Sequence, residues 1–263
     1  MLKEFVLYRK YIKLHLLSEL EYKGWWIMFL MVVITVISEP TAIILMFSRF
    51  GNIGDWTLER ILLIYSIAIT SFGLAESLCR GFDYFPYRMV RGGDFDRLLL
   101  RPKSLFTQVA ASYFHIHRLA RVFAGMGIML WACSRLGIGL SIYNVAILAL
   151  ALTGGMLMYA GVFVMCSGVS FFTIGATDWI YIFTNASCET TRIPVDHMPQ
   201  VLRRLFTFFM PMLVISYFPA SAMGGWGEHA WRGWLALPAG ALFLSFSMLI
   251  WKFGVRHYKS TGS

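Results

Sequence analysis

Apolar residues come in long unbroken blocks along this chain, and polar residues gather between them. The clearest blocks are Trp25–Phe47, Ile61–Cys79, Val145–Phe172 and Trp234–Phe253. A helix needs about 20 such residues to cross a bilayer core of roughly 30 Å. The short alternating segments of a membrane barrel are absent. The pattern predicts an all-α, polytopic membrane protein, with residues 1–263 forming a single transmembrane domain.

The stretches between these blocks are less regular. In residues 1–24, Leu2, Phe5, Val6, Ile12, Leu16 and Leu20 share half a helical wheel, interrupted by Arg9 and Lys13. This predicts an amphipathic N-terminal helix lying in the membrane interface, or a plain exposed lead-in to the first span. Inside the first block, Glu39 precedes Pro40, a proline expected to kink the helix. The third apolar stretch, Val122–Ser134, has only 13 residues. Its helix is expected to start near Leu105, with Arg118 and Arg121 reaching toward headgroups. Gly154, Gly155, Gly161 and Gly168 in the fourth block suit close helix packing. Thr177–Ile193 and Leu205–Ala222 compete as the fifth of six spans. Pro194, Pro199, Pro211 and Pro219 favour a broken, re-entrant element over residues 194–222, tolerated only where protein or a cavity covers it.

Composition strengthens the class. The 263 residues are 58% hydrophobic and 14% charged, against about a quarter charged in a soluble domain. The net charge of +9 sits in loops and near the termini, which suits membrane orientation and not nucleic-acid binding. With Thr177–Ile193 as fifth span, 16 of the Lys and Arg residues fall on the side of the termini and the 80–104 loop, and 7 on the other. With Leu205–Ala222 instead, the split is 19 to 4. Either count puts both termini and that loop in the cytoplasm. Charge counting prefers the second assignment, and the prolines prefer the first. Cys79, Cys133, Cys166 and Cys188 are single and scattered, so neither a disulfide framework nor a zinc site is expected. The first apolar run is too long for a signal-peptide core and lacks a small-residue cleavage site, so no cleaved leader is expected.

Candidate chemistry is sparse. There is no GxxxxGK[ST] phosphate loop, so the chain is not expected to be an enzyme or to hold ATP itself. Glu39, a carboxylate inside a span, is either a cation-attracting pathway residue or half of a structural pair. Phe206, Phe208, Phe209, Met210 and Met212 beside Pro211 are either an adaptable gate or packing. His115 and His117, read on a helix, point to different faces, and no metal site is expected there. Between the second and third spans, Gly92-Gly93 breaks the chain. Asp94 is a credible N-cap and Pro102 a stop, which predicts a short amphipathic helix over Asp94–Arg101.

Residues GGDFDRLLLRP at 92–102 resemble the cytoplasmic loop of ABC-2-type permeases. Pro194, Pro199 and Pro211 are similar to that family's proline pattern after the fifth span, and the ending HYKSTGS is similar to the tails of one branch of short bacterial permeases. The turn SFFTIGATD departs from the pattern, lacking a basic residue. The resemblance implies six transmembrane helices in a type V exporter-like fold in a bacterial inner membrane, with Thr177–Ile193 as the fifth. It implies a permease subunit of an ABC transporter, most often an exporter. Partners would be separate ATPase subunits that bind ATP and magnesium, a second permease chain (identical or paralogous), and membrane lipids. In that setting Phe95, Leu98 and Leu99 would enter a groove on the ATPase, with Asp94 starting the helix and Arg97 and Arg101 pairing with its acids; the plainer alternative is arginines on headgroups. Glu39, Phe206, Phe209 and Met210 would line the substrate pathway. The competing classes are a standalone secondary transporter or channel, which needs charges across several spans, and a lipid-modifying enzyme, which needs clustered polar residues at one face.

Overall fold

A computed structural model describes residues 2–21, 24–173, 189–227 and 229–258. Helices dominate, and among the described residues the one β-type pairing is the isolated bridge Ile53–Trp56. The helix α1 (Leu2–Glu21) lies ahead of α2 (Trp25–Phe50) and α3 (Leu58–Phe85), which a π turn extends to Val90. Two short helices follow, α4 (Phe95–Leu99) and α5 (Leu105–Ala110). Then come α6 (Leu119–Arg135) and α7 (Ile142–Ser170). After the gap in description come α8 (Gln200–Arg204), α9 (Met212–Ile215), α10 (Tyr217–Gly224) and α11 (Ala236–His257).

Among the described residues, four helical stretches are long and apolar enough to cross a membrane: α2, α3 with its extension, α7, and α11 with the 3-10 turn before it. The pair Gln200–Phe209 and Met212–Gly224, bent by 70°, makes a fifth if counted as one. Most of the expected span at Thr177–Ile193 lies outside the described residues. The competing Leu205–Ala222 assignment falls on the bent pair. Pro211 accounts for the bend: it bars helical backbone at Met210, which is extended at φ −119°, ψ 97°. Both outer ends of this pair reach the same end of the bundle. At one, Arg203 donates to the Val195 carbonyl at 2.6 Å, beside Asp196, which accepts from Trp56 Nε1 at 3.0 Å. At the other, Trp226 lies under Arg60.

The third helix differs from the sequence expectation. It does not begin near Leu105: α5 stops at Ala110, a turn and non-helical chain lead to His115, which is extended, and a 3-10 turn at Ile116–Arg118 leads into α6. Aromatic, histidine and β-branched residues at 113–117 are weak helix formers, and outside contacts hold this elbow open. At 17 residues, α6 is about 26 Å long at about 1.5 Å per residue.

Glycines set the helix spacing. Gly154, Gly161 and Gly168 recur every seven residues on α7; Gly154 and Gly168 lie against Gly240 and Gly254 of α11, and Gly161 against Phe243 and Leu244. A Cβ on Gly240 would stand 2.0 Å from the Gly154 carbonyl oxygen, and one on Gly254 2.5 Å from that of Gly168. Backbone therefore rests on backbone at both ends of this stretch, the small-residue packing that membrane helices use, with the Phe243 ring against Gly161 between them.

Candidate functional site at the loop end of the bundle

The ends of α3, α7 and α11 converge beside the loop of residues 86–118. Phe85, Phe171, Trp251 and Tyr258 form an aromatic cluster there, with Phe85 and Trp251 centroids 4.8 Å apart. The short helix α4 inserts Phe95 into this cluster. Its ring lies 5.2 Å from Phe85, 5.3 Å from Phe171 and 4.8 Å, edge-on, from Tyr258, and is fully buried. Edge-to-face pairs of this kind add about 0.5–1.5 kcal/mol each beyond the buried area. Leu98 is buried on the same side. The turn into α4 needs a left-handed residue, which Gly93 supplies at φ 73°.

This placement divides the short helix differently from the sequence expectation. Phe95 and Leu98 face the chain's own core and not outward. Leu99, Leu100 and Arg97 face out, with Leu100 85% exposed. Asp94 makes no backbone cap; Arg97 donates to its carboxylate at 3.3 Å instead. Arg101 donates to Tyr11 of α1 at 3.0 Å.

That last contact belongs to a stripe. Tyr8 donates to the Leu78 carbonyl at 2.7 Å, beside the irregular turn of α3 at Cys79. His15 stacks on Tyr113, and Glu19 accepts from the Ile116 backbone N–H at 2.9 Å. Tyr8, Tyr11, His15 and Glu19 recur at helical spacing, so α1 straps the α4 loop to the elbow before α6 by a polar, aromatic face. Val6, Leu14 and Leu17 are left exposed. Sequence reading looked for an apolar stripe in α1 and passed over this one, although its spacing was equally visible.

Under the strap sits a charge cluster. Glu76 of α3 is 2% exposed and is held by Arg80, one turn on, and by Arg118 and Arg121 from the elbow and α6. Arg80 also reaches Asp83 at 3.2 Å. Glu76 and Arg80, four residues apart, thus form a pair along one face of α3. Arg118 and Arg121, expected at headgroups, turn inward instead, because a buried carboxylate demands charged partners more strongly than exposed arginines demand lipid. Aromatic faces cover two of the guanidiniums: Arg80 over Tyr84 at 5.0 Å and Arg121 over Phe72 at 5.1 Å.

His115 and His117 do not point apart. Extended backbone at His115 (φ −127°, ψ 114°) brings the two rings into a stack 5.0 Å apart. Glu19 Oε1 lies 2.6 Å from His117 Nδ1 and 3.6 Å from His115 Nδ1. Burial pushes His115 below the ordinary imidazole value despite the opposing pull of Glu19.

The expected pathway residues lie toward the other end. Glu39 accepts from the Tyr65 hydroxyl at 2.7 Å and pairs with Arg192 at 3.1 Å, the structural pair that was weighed against substrate contact. In the bent element, Phe206 and Met210 are buried, while Phe208 and Phe209 are exposed at 83% and 56%. Pro194 starts a 3-10 turn, Pro199 precedes α8, and Pro211 makes the bend. A cavity of about 770 Å³ opens at this end between the bent element and the start of α11, lined by Tyr217, Trp226, Trp231 and Arg203 among others.

A family model described as ABC-2 family transporter protein matches residues 28–262, nearly the whole helical bundle. The chain belongs to this family. Neither a curated protein nor a solved structure matches it significantly. As an ABC-2 permease it is a multi-pass membrane protein and the permease component of an ABC transporter, a transport subunit that is not itself catalytic. In this permease the loop-end site joins the Glu76 charge cluster to the aromatic cluster around Phe95.

Proposed function

We propose that this permease is half of the membrane pathway of an ABC exporter in a bacterial inner membrane. It pairs with a second permease chain, and separate ATPase subunits bind ATP and magnesium and drive it through α4. The observation that carries this reading is the two-sidedness of α4. One face locks Phe95 into the ends of α3, α7 and α11 together, and the other presents Arg97, Leu99 and Leu100 to the outside. A push on the outer face reaches three membrane helices at once. Phe95 and Leu98 are then the root of the lever, and Leu99, Leu100 and Arg97 its contact surface.

Six crossings fit this arrangement. Thr173 follows Phe171 at the loop end, whereas Val195 and Asp196 sit beside Trp56 at the opposite end. A crossing between them supports Thr177–Ile193 as the fifth span, with the bent pair as a re-entrant hairpin at the outer face. Both termini then lie in the cytoplasm with the loop end. Phe208, Phe209 and the cavity beside them stand where an exit gate would be.

The test is co-purification of the permease with its ATPase after Arg97→Glu and Leu100→Asp, followed by ATP hydrolysis in proteoliposomes. Each variant is expected to reduce assembly or stimulated hydrolysis at least tenfold, with the permease still folded. Wild-type assembly and turnover in both variants would remove α4 from the coupling role.

A further inference from the structure

We propose that Glu19, His115 and His117 form a divalent transition-metal site, filled by zinc, that pins α1 to the elbow before α6. One donor atom from each residue lies within 4.8 Å of the others, although Glu19 is distant in sequence from the histidines. A tetrahedral zinc with bonds of about 2.0–2.1 Å spaces neighbouring ligand atoms by about 3.3 Å. The Oε1–Nδ1 distances of 2.6 Å and 3.6 Å straddle that value, and the edge between the two histidines is within 4.8 Å, so modest side-chain rotations would close the three donors on an ion.

The donors suit this metal. Two imidazoles and one carboxylate favour zinc over magnesium or calcium, which prefer all-oxygen shells. His115 is extended and His117 lies in the 3-10 turn that follows, and the two rings stack on one side, toward Glu19. The second Glu19 oxygen is held by the Ile116 N–H at 2.9 Å, an outer-shell contact that fixes the carboxylate. His117 and Glu19 are largely covered, while His115 is 31% exposed, leaving an approach for a fourth ligand such as water. The three nearby guanidiniums of Arg80, Arg118 and Arg121 are balanced only when Glu19 at the site itself is added to Glu76 and Asp83, three charges of each sign before an ion enters. Bound there, zinc would replace one hydrogen bond by three coordinate bonds between α1 and the elbow.

The test uses the full chain, purified in detergent on an affinity tag without histidine and exposed to zinc alone. Elemental mass spectrometry after desalting is expected to give about one zinc per chain. The zinc K-edge spectrum should show nitrogen and oxygen ligands with two imidazoles. His117→Gln and Glu19→Gln should each weaken retention at least tenfold. No retained zinc, fewer than two imidazoles in the wild-type spectrum, or unchanged retention in both variants overturns the site. Because the spectrum is read on the wild-type chain, misfolding of a variant does not obscure the answer, and no transport assay is involved.

Discussion

Replacing Glu76 by Gln tests the charge cluster most directly. The substitution keeps shape and removes the one carboxylate shared by Arg80, Arg118 and Arg121. At the 3.2 Å separation of Arg118 and Glu76, each lost attraction is about 5 kcal/mol at an effective dielectric of about 20. Desolvation already offsets much of that in the native state, so breaking such a buried group costs about 3–5 kcal/mol overall. Asp83 remains, but it touches only Arg80, which leaves Arg118 and Arg121 facing each other without a counter-charge. At about 2–4 °C per kcal/mol for a chain of this size, the apparent melting temperature should fall by roughly 10 °C. The assay is size-exclusion chromatography of detergent-purified protein after stepwise heating. Arg118→Gln alone leaves Glu76 two partners and should cost far less. Adding it to Glu76→Gln should recover part of the loss. A Glu76→Gln protein that melts with the wild type, or a double variant worse than the sum of the singles, would refute the shared-carboxylate account.

Other expectations follow from the same geometry. Gly240→Leu drives a side chain into the Gly154 carbonyl and should cost at or above the top of the usual overpacking range of about 1–3 kcal/mol, read as loss of monodisperse protein. Phe95→Ala empties the root of α4 at about 3–5 kcal/mol; it should leave the ATPase bound but unstimulated, with Phe95→Leu restoring most turnover. Arg192→Gln should destabilise by leaving Glu39 with the Tyr65 hydroxyl but no counter-charge, and Glu39→Gln in the same chain should restore heat stability measured as above. A cysteine at Leu100 in a background without the native cysteines should react with a membrane-impermeant maleimide only from the cytoplasmic face; labelling from outside would reverse the topology.

The helical class and the positions of α2, α3, α7 and α11 were legible because runs of apolar residues have few alternatives. The glycines of α7 also announced close packing. The elbow at 111–118 was not legible: helix and elbow have similar local composition there, and what decides is the Ile116 N–H bonded to Glu19 and the Gly81 surface, where a Cβ would meet the Val109 carbonyl at 1.7 Å. For the same reason the direction of Arg118 and Arg121 was hidden, since their partner lies more than forty residues earlier. Phe95 could be recognised as half of an amphipathic helix, but not which half, because both its core and a partner's groove would be apolar.

The seven-residue spacing of glycines has a mechanical consequence. Gly154 to Gly168 spans about four turns, with backbone against backbone at both ends and the Phe243 ring against Gly161 between them, so few side chains are left there to slide or rotate. α7 and α11 therefore behave as one plank, and α4 is fastened to its edge through Phe171, Trp251 and Tyr258. A displacement at that edge should therefore tilt both helices together instead of sliding one along the other.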